Sequence, residues 1–214
     1  MNKTNIRRII KPDEFFQGKE RENIIEDLTM IARNGFGSEI TREDVENHVL
    51  KTGILYLMSK NNNKIGFASY DRMRLENKEL LYLHGIVVKQ EHQQEGLFYK
   101  VNNAEISQNN FDFIAMRTQN PVIYAATRKI VKDIYPGKKP IPTEIKELGK
   151  IVAEDFLQMN NFDPTTFIGR GTYSVSLYGA IPQYANAEIN EFFDKQLNLD
   201  YDAGDSVLIV GKLK

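Results

Sequence analysis

The sequence predicts an α/β fold in which a mixed, mostly antiparallel central sheet is flanked by helices, and three observations lead there. Ile24, Leu28, Ile31 and Ala32 recur at helical spacing on one face. Three apolar runs between residues 54 and 88 are broken by short polar clusters, the pattern of successive antiparallel strands. The last run, Leu80-Leu-Tyr-Leu-His-Gly-Ile-Val-Val-Lys89, gives way to a polar turn, a helix and a further apolar strand. Such a strand, helix, strand unit implies one parallel pair in an otherwise antiparallel sheet.

Taken in order, the apolar face from Ile24 to Ala32 predicts a helix over residues 19–34, stopped by Gly35 and Gly37. Thr41 and Asp44 have the spacing of a capping box, in which the threonine oxygen takes a free amide, and a second helix runs from there toward Leu50. Strands follow over 54–59 and 64–75, joined by the turn-forming Lys60-Asn-Asn-Asn63, and Glu76-Asn-Lys-Glu79 leads into the third strand at Leu80. Leu97, Val101 and Ala104 mark one face of a helix ending near Asn109 and Asn110. Phe111-Asp-Phe-Ile-Ala-Met116 reads as a buried strand. Asn120-Pro121 opens another helix, since the N–H that proline lacks has no partner in a first turn.

Pro136-Gly-Lys-Lys-Pro-Ile-Pro142 is a stiff connector, and Ile145, Leu148, Val152 and Phe156 then predict an extra amphipathic helix. Residues 162–171 read as a loop, 172–178 as a strand, 185–197 as a helix and 206–210 as the final strand. The loop, with two glycines and Arg170, suits closure over a substrate or a plain surface connection. Asp200-Tyr-Asp-Ala-Gly-Asp205 is acidic, suited to attracting a cationic amine or to simple solvation. One domain over 1–214 is expected, with its core over 19–131, an insertion over 132–171 and final elements over 172–214.

Composition narrows the function classes. With 214 residues, 41% of them hydrophobic, the chain can bury a real core. A formal net charge of -1 without a basic block offers a nucleic acid nothing to hold. The absence of cysteine excludes disulfides, thiolate metal sites and a cysteine nucleophile. No stretch reaches the roughly 18 apolar residues of a membrane helix, and the N-terminus lacks a signal-peptide core, so the cytoplasm is the expected compartment.

The turn after Val88 carries the functional signal. A strand that breaks into a polar turn with one glycine and then starts a helix leaves backbone amides unpaired at the helix N-terminus, where a phosphate can be held. Gln93-Gln94-Glu95-Gly96-Leu97-Phe98 is that turn.

Together with the apolar strand end Ile86-Val87-Val88, this turn resembles the Gln/Arg-x-x-Gly-x-Gly/Ala signature of the GNAT acyltransferases, which move an acyl group from coenzyme A to an amine. The resemblance covers residues 54–131, with Lys64-Ile-Gly-Phe-Ala68 as the third strand of that family. It implies acetyl-CoA as cosubstrate, bound by Ile86, Val87, Val88 and the residues from Gln93 to Phe98. It implies a strand bulge whose backbone groups pair with the pantetheine arm, and a small-molecule or peptide amine as acceptor. No metal, nucleic acid or membrane partner is implied, and a homodimer is left open. A chain that keeps the fold as a binding or sensor module, or as an interaction protein, is the alternative. Phe98, where the family has glycine or alanine, and Glu95, a carboxylate at the expected pyrophosphate position, depart from the pattern.

An ammonium must lose a proton before it can attack a thioester. Tyr82, His84, Ile86 and Val88 share one face if the strand alternates regularly. His84, twelve residues before Gly96, resembles the base of the arylalkylamine branch of the family, and imidazole titrates near neutral pH. A histidine hydrogen bonded within the sheet is the other reading. Tyr82 extends a proton wire or packs. The family's thiolate-protonating tyrosine falls on Thr127 here, so Tyr124, nearly one turn earlier on the same helix, is the better candidate acid and Tyr135 the poorer, each also readable as a packing residue. Asn120, at the strand end, is a candidate donor to the pantetheine carbonyls.

Overall fold

The computed structural model describes residues 4–37, 40–75, 77–173 and 176–213. The chain forms two compact units, residues 1–111 and 112–214, each containing antiparallel strand pairs and helices.

In the first unit the order is β1 (Asn5–Ile10), α1 (Pro12–Phe15), α2 (Gly18–Phe36), α3 (Arg42–Val45), β2 (Ile54–Lys60), β3 (Asn63–Leu75), β4 (Lys78–Val88) and α4 (Leu97–Ser107). The strands lie side by side as β1-β2-β3-β4. β1 is absent from the sequence expectation. Its two adjacent arginines conceal the alternation of a half-exposed edge strand, in which Ile9 faces inward opposite Leu55.

Local chemistry explains the joins. β2 and β3 meet through Asn61 and Asn62, both in the left-handed region at φ 51 and 64, which asparagine tolerates well. α3 opens on the expected capping box of Thr41 and Asp44 and continues as a wider turn over Glu46–Leu50. α2 ends at Gly37, whose φ of 67 supplies the left-handed cap. Gly35 does not stop the helix. It lies inside α2, where a Cβ would come within 2.5 Å of Val87 Cγ1 and 3.0 Å of the Val88 carbonyl oxygen, so its lack of a side chain lets α2 press on the end of β4.

The two faces of this sheet differ in chemistry. On one, Ile9, Leu55, Leu57, Phe67 and Val87 pack with Ile24, Leu28, Ile31, Val45 and Leu50 of the α2 and α3 layer. On the other, beneath α4, the Glu105 carboxylate has no solvent exposure. Its Oε2 accepts from Arg8 Nε at 2.7 Å and from the Tyr56 hydroxyl at 2.9 Å. Its Oε1 accepts from Arg72 Nη2 at 2.7 Å and from Asn109 Nδ2 at 3.2 Å. Burial pushes this carboxyl up, but the hydrogen bonds from Arg8, Arg72 and Tyr56 outweigh it and hold the group below its ordinary value.

In the second unit the order is β5 (Phe113–Thr118), α5 (Pro121–Arg128), β6 (Asp133–Tyr135), α6 (Thr143–Lys150), β7 (Phe162–Asp163), β8 (Ile168–Gly169), α7 (Ala187–Glu191) and β9 (Ser206–Lys212). β9 is the spine: Val207 to Val210 have no exposure, β5 and β8 flank it, and β6 also pairs with it. α6 and α7 continue as wider turns over Ile151–Phe156 and Phe192–Leu197, within the expected helices. The strand expected over 172–178 is not found among its described residues, Ser174 and Val175 lying outside them. Ile168–Gly169, read from sequence as loop, pairs with β9 instead. Glu76 likewise lies outside the described residues.

Candidate functional site

β4 pairs with β3 along its length, but the register shifts once. Tyr70 faces Leu83 and Ser69 faces Gly85, so His84 is an extra residue in a β-bulge. The bulge reverses the alternation expected from sequence. Tyr82 lies opposite Asp71, whereas Ile86 and Val88 lie opposite Ala68 and Gly66 on the other face. Tyr82, His84, Ile86 and Val88 therefore do not share one face.

His84 has a partner that the sequence reading missed. Its Nε2 is 2.7 Å from Asp71 Oδ2, and the Tyr82 ring meets the imidazole edge to face with centroids 4.8 Å apart. Tyr82 is buried, while His84, Gly85 and Ile86 are half-buried in a strand whose preceding residues, Leu80 to Leu83, are buried. A Cβ on Gly85 would meet nothing within 4 Å, so space is open beside the bulge.

After Val88 the chain makes a short helical turn at Gln90–His92, and Gln90 donates its amide to Asn34 Oδ1 at the end of α2. Gln93 turns its side-chain amide back to the Val88 carbonyl at 3.2 Å. Gln94 and Gly96 both adopt left-handed backbone, at φ 70 and 72, a conformation natural for the glycine and tolerated by the glutamine. Gly96 begins α4 without a side-chain cap, Leu97 is buried in the first turn, and the half-buried Phe98 lies edge to face with Tyr99. The Glu95 carboxylate is held by two neighbours: His92 Nδ1 lies 2.9 Å and Lys60 Nζ 3.0 Å from its Oε1. Those hydrogen bonds, that from His92 first, hold its carboxyl below the ordinary value.

In the second unit, Asn120 uses Oδ1 to cap α5 through the Val122 amide at 2.9 Å, and its side chain also hydrogen bonds the Tyr178 hydroxyl. Tyr124 is buried against Phe192 and Phe193, and its hydroxyl donates to the Pro136 carbonyl at 3.0 Å. Burial pushes that phenol up. Thr127, at the position of the family's tyrosine, is buried and donates to the Ile123 carbonyl at 2.8 Å. The acidic segment is an anchor: buried Asp205 accepts from Arg170 and from the amides of Gly171 and Asp200, each at 3.0 Å in the two amide cases. Among the described residues no group of three or more His, Asp or Glu side chains is placed to hold a metal, and no helix is long and apolar enough to cross a membrane.

No family model matches the sequence, and no curated protein matches it. Solved structures do. An IAA acetyltransferase from Bacillus cereus superposes with a TM-score of 0.50 at 14% identity, over 99% of this chain and 100% of that one. A GCN5-related glucosamine N-acetyltransferase region of a fungal multi-domain GH3 β-N-acetylglucosaminidase superposes with a TM-score of 0.51 at 9% identity, over 72% of this chain and 21% of that one. The fold of this chain is that of the GNAT acetyltransferases.

Proposed function

We propose that this chain is a cytoplasmic, acetyl-CoA-dependent N-acetyltransferase that acetylates a primary amine by direct attack on the thioester in a ternary complex. The observation that carries the reading is the β4 bulge at His84, next to Asp71 and twelve residues before the Gly96 turn. On this reading the α4 amides, in a helix that opens without a side-chain cap, receive the pyrophosphate. The backbone from Ile86 to Val88 receives the pantetheine arm. His84 takes the proton of the ammonium, the amine so formed attacks the acyl carbon, and the carbon–sulfur bond breaks so that the coenzyme leaves as a thiol carrying the proton that the attacking nitrogen gives up. The coenzyme supplies the activated acyl group, and the chain's own residues orient it and move the proton.

Glu95, bound to Lys60 and His92, is compatible with a phosphate at the helix start. A binding or sensor module remains the second reading, because the Tyr124 hydroxyl is given to a backbone carbonyl and Thr127 stands where the family's acid would be.

Calorimetric titration with acetyl-CoA, joined to a free-thiol assay over an amine panel, separates the two. Binding with thiol release is expected, and His84→Gln is expected to lower turnover by roughly ten- to a thousandfold while acetyl-CoA still binds. Binding without thiol release across the panel favours the sensor. Unchanged turnover in the His84 variant removes the histidine from the mechanism.

A further inference from the structure

The His84 ring is held by the carboxylate of Asp71 at Nε2 and by the edge-to-face ring of Tyr82. Asp71 is itself pinned. Its second oxygen, Oδ1, accepts the Gly53 amide at 2.6 Å, so each oxygen has its own donor. An ionised carboxylate only accepts, hence the hydrogen between Asp71 and His84 belongs to Nε2, and the lone pair of the neutral ring lies on Nδ1.

From this we infer that Asp71 is the positioning residue of the site: it selects the Nε2–H tautomer of His84 and so assigns Nδ1 as the atom that takes the proton of the amine. The inference rests on the reading of His84 as base. In the step, one N–H bond of the ammonium breaks, its proton joins Nδ1, and the electron pair stays on the amine nitrogen for attack on the thioester. The imidazolium keeps its Nε2–H on the Asp71 carboxylate, whose charge stabilises it, and then releases the Nδ1 proton to water.

Gly53 makes the assignment unusually testable. In Asp71→Asn, a nearly isosteric change, the amide oxygen is the atom able to accept the Gly53 N–H. The amide NH₂ is then turned to His84 Nε2, which must present a lone pair and move its hydrogen to Nδ1. The atom meant to accept a proton would already carry one.

The experiment is ¹⁵N-resolved NMR of the imidazole nitrogens in the full chain, wild type and Asp71→Asn, at a pH where the ring is neutral, with steady-state kinetics alongside. Wild type is expected to show a protonated Nε2 and an unprotonated Nδ1, and the variant the reverse. The kcat should fall roughly ten- to a thousandfold while KM for acetyl-CoA is little changed, a split that general loosening of the fold does not produce. Protonated Nδ1 in the wild type overturns the proposal, and so does a variant with wild-type spectrum and wild-type kcat. Should the variant fail to fold, the wild-type spectrum alone decides. Tautomer reversal without thiol release from either protein supports the Asp71 assignment and overturns instead the role of His84 as base.

Discussion

Replacing Glu105 by glutamine keeps its shape and removes its charge, at a carboxylate that has no solvent exposure and is hydrogen bonded by Arg8, Arg72, Tyr56 and Asn109. Every group around the carboxylate is a donor: Arg8 through Nε and Nη2, Arg72, the Tyr56 hydroxyl and Asn109. A glutamine must point an NH₂ at one side of that cluster. The less costly choice faces Tyr56, whose hydroxyl can rotate to accept, and Arg8 Nε, which cannot. One charge-assisted bond is then lost, about 1.5–3 kcal/mol, and the rest weaken toward neutral strength. Against this, the Arg8 and Arg72 side chains are 24% and 40% exposed and recover part of the loss from water. The expected net destabilisation is about 3 kcal/mol, at the lower edge of the range for breaking buried ion pairs.

The assay is urea unfolding at neutral and acidic pH. The folded-state pKa of Glu105 lies below that of the unfolded chain, so its contribution is fully present above about pH 4.3 and is lost as pH falls through the folded value. The gap between wild type and Glu105→Gln should therefore be full at pH 7 and shrink with acidification. A neutral-pH loss under about 1 kcal/mol, or a gap that does not narrow in acid, refutes the reasoning.

Two further outcomes bear on the site. Tyr124→Phe removes one neutral hydrogen bond to Pro136, so thermal or urea unfolding should show a loss of about 1 kcal/mol with turnover little changed; a fall of about a hundredfold in turnover would return the acid role to this tyrosine. Glu95→Gln should alter acetyl-CoA affinity by less than about threefold in calorimetry, because the carboxylate already faces Lys60 and His92; a gain much beyond that would show that its charge opposes the cofactor.

The legible parts of this protein were those written in short stretches of chain. The capping box of Thr41 and Asp44, the asparagine turn before β3 and the glycine turn into α4 each depend on a few consecutive residues, and each lies where expected. Gly35 was misread because a glycine near a helix end signals termination, whereas its reason is the close approach of Val87. The strand expected over 172–178 lost its place beside β9 to Ile168–Gly169, a competition that alternation within one segment does not reveal. Asp71 could have been sought as the partner of His84, since both lie in one hairpin, but which residues face each other depends on the register of β3 against β4, which no single segment fixes.

Sequence alone determined the element types over most of the chain and the strand, turn and helix that begin the site, because periodicity, capping and left-handed turns act within about one turn of chain. The tertiary structure decided which side chains face one another. His84 meets Asp71 across 13 residues, and Glu105 meets Arg8 across 97. One inserted residue in β4 reverses the face of everything beyond it, so strand register, which is a property of the paired strands together, settled which groups surround the histidine.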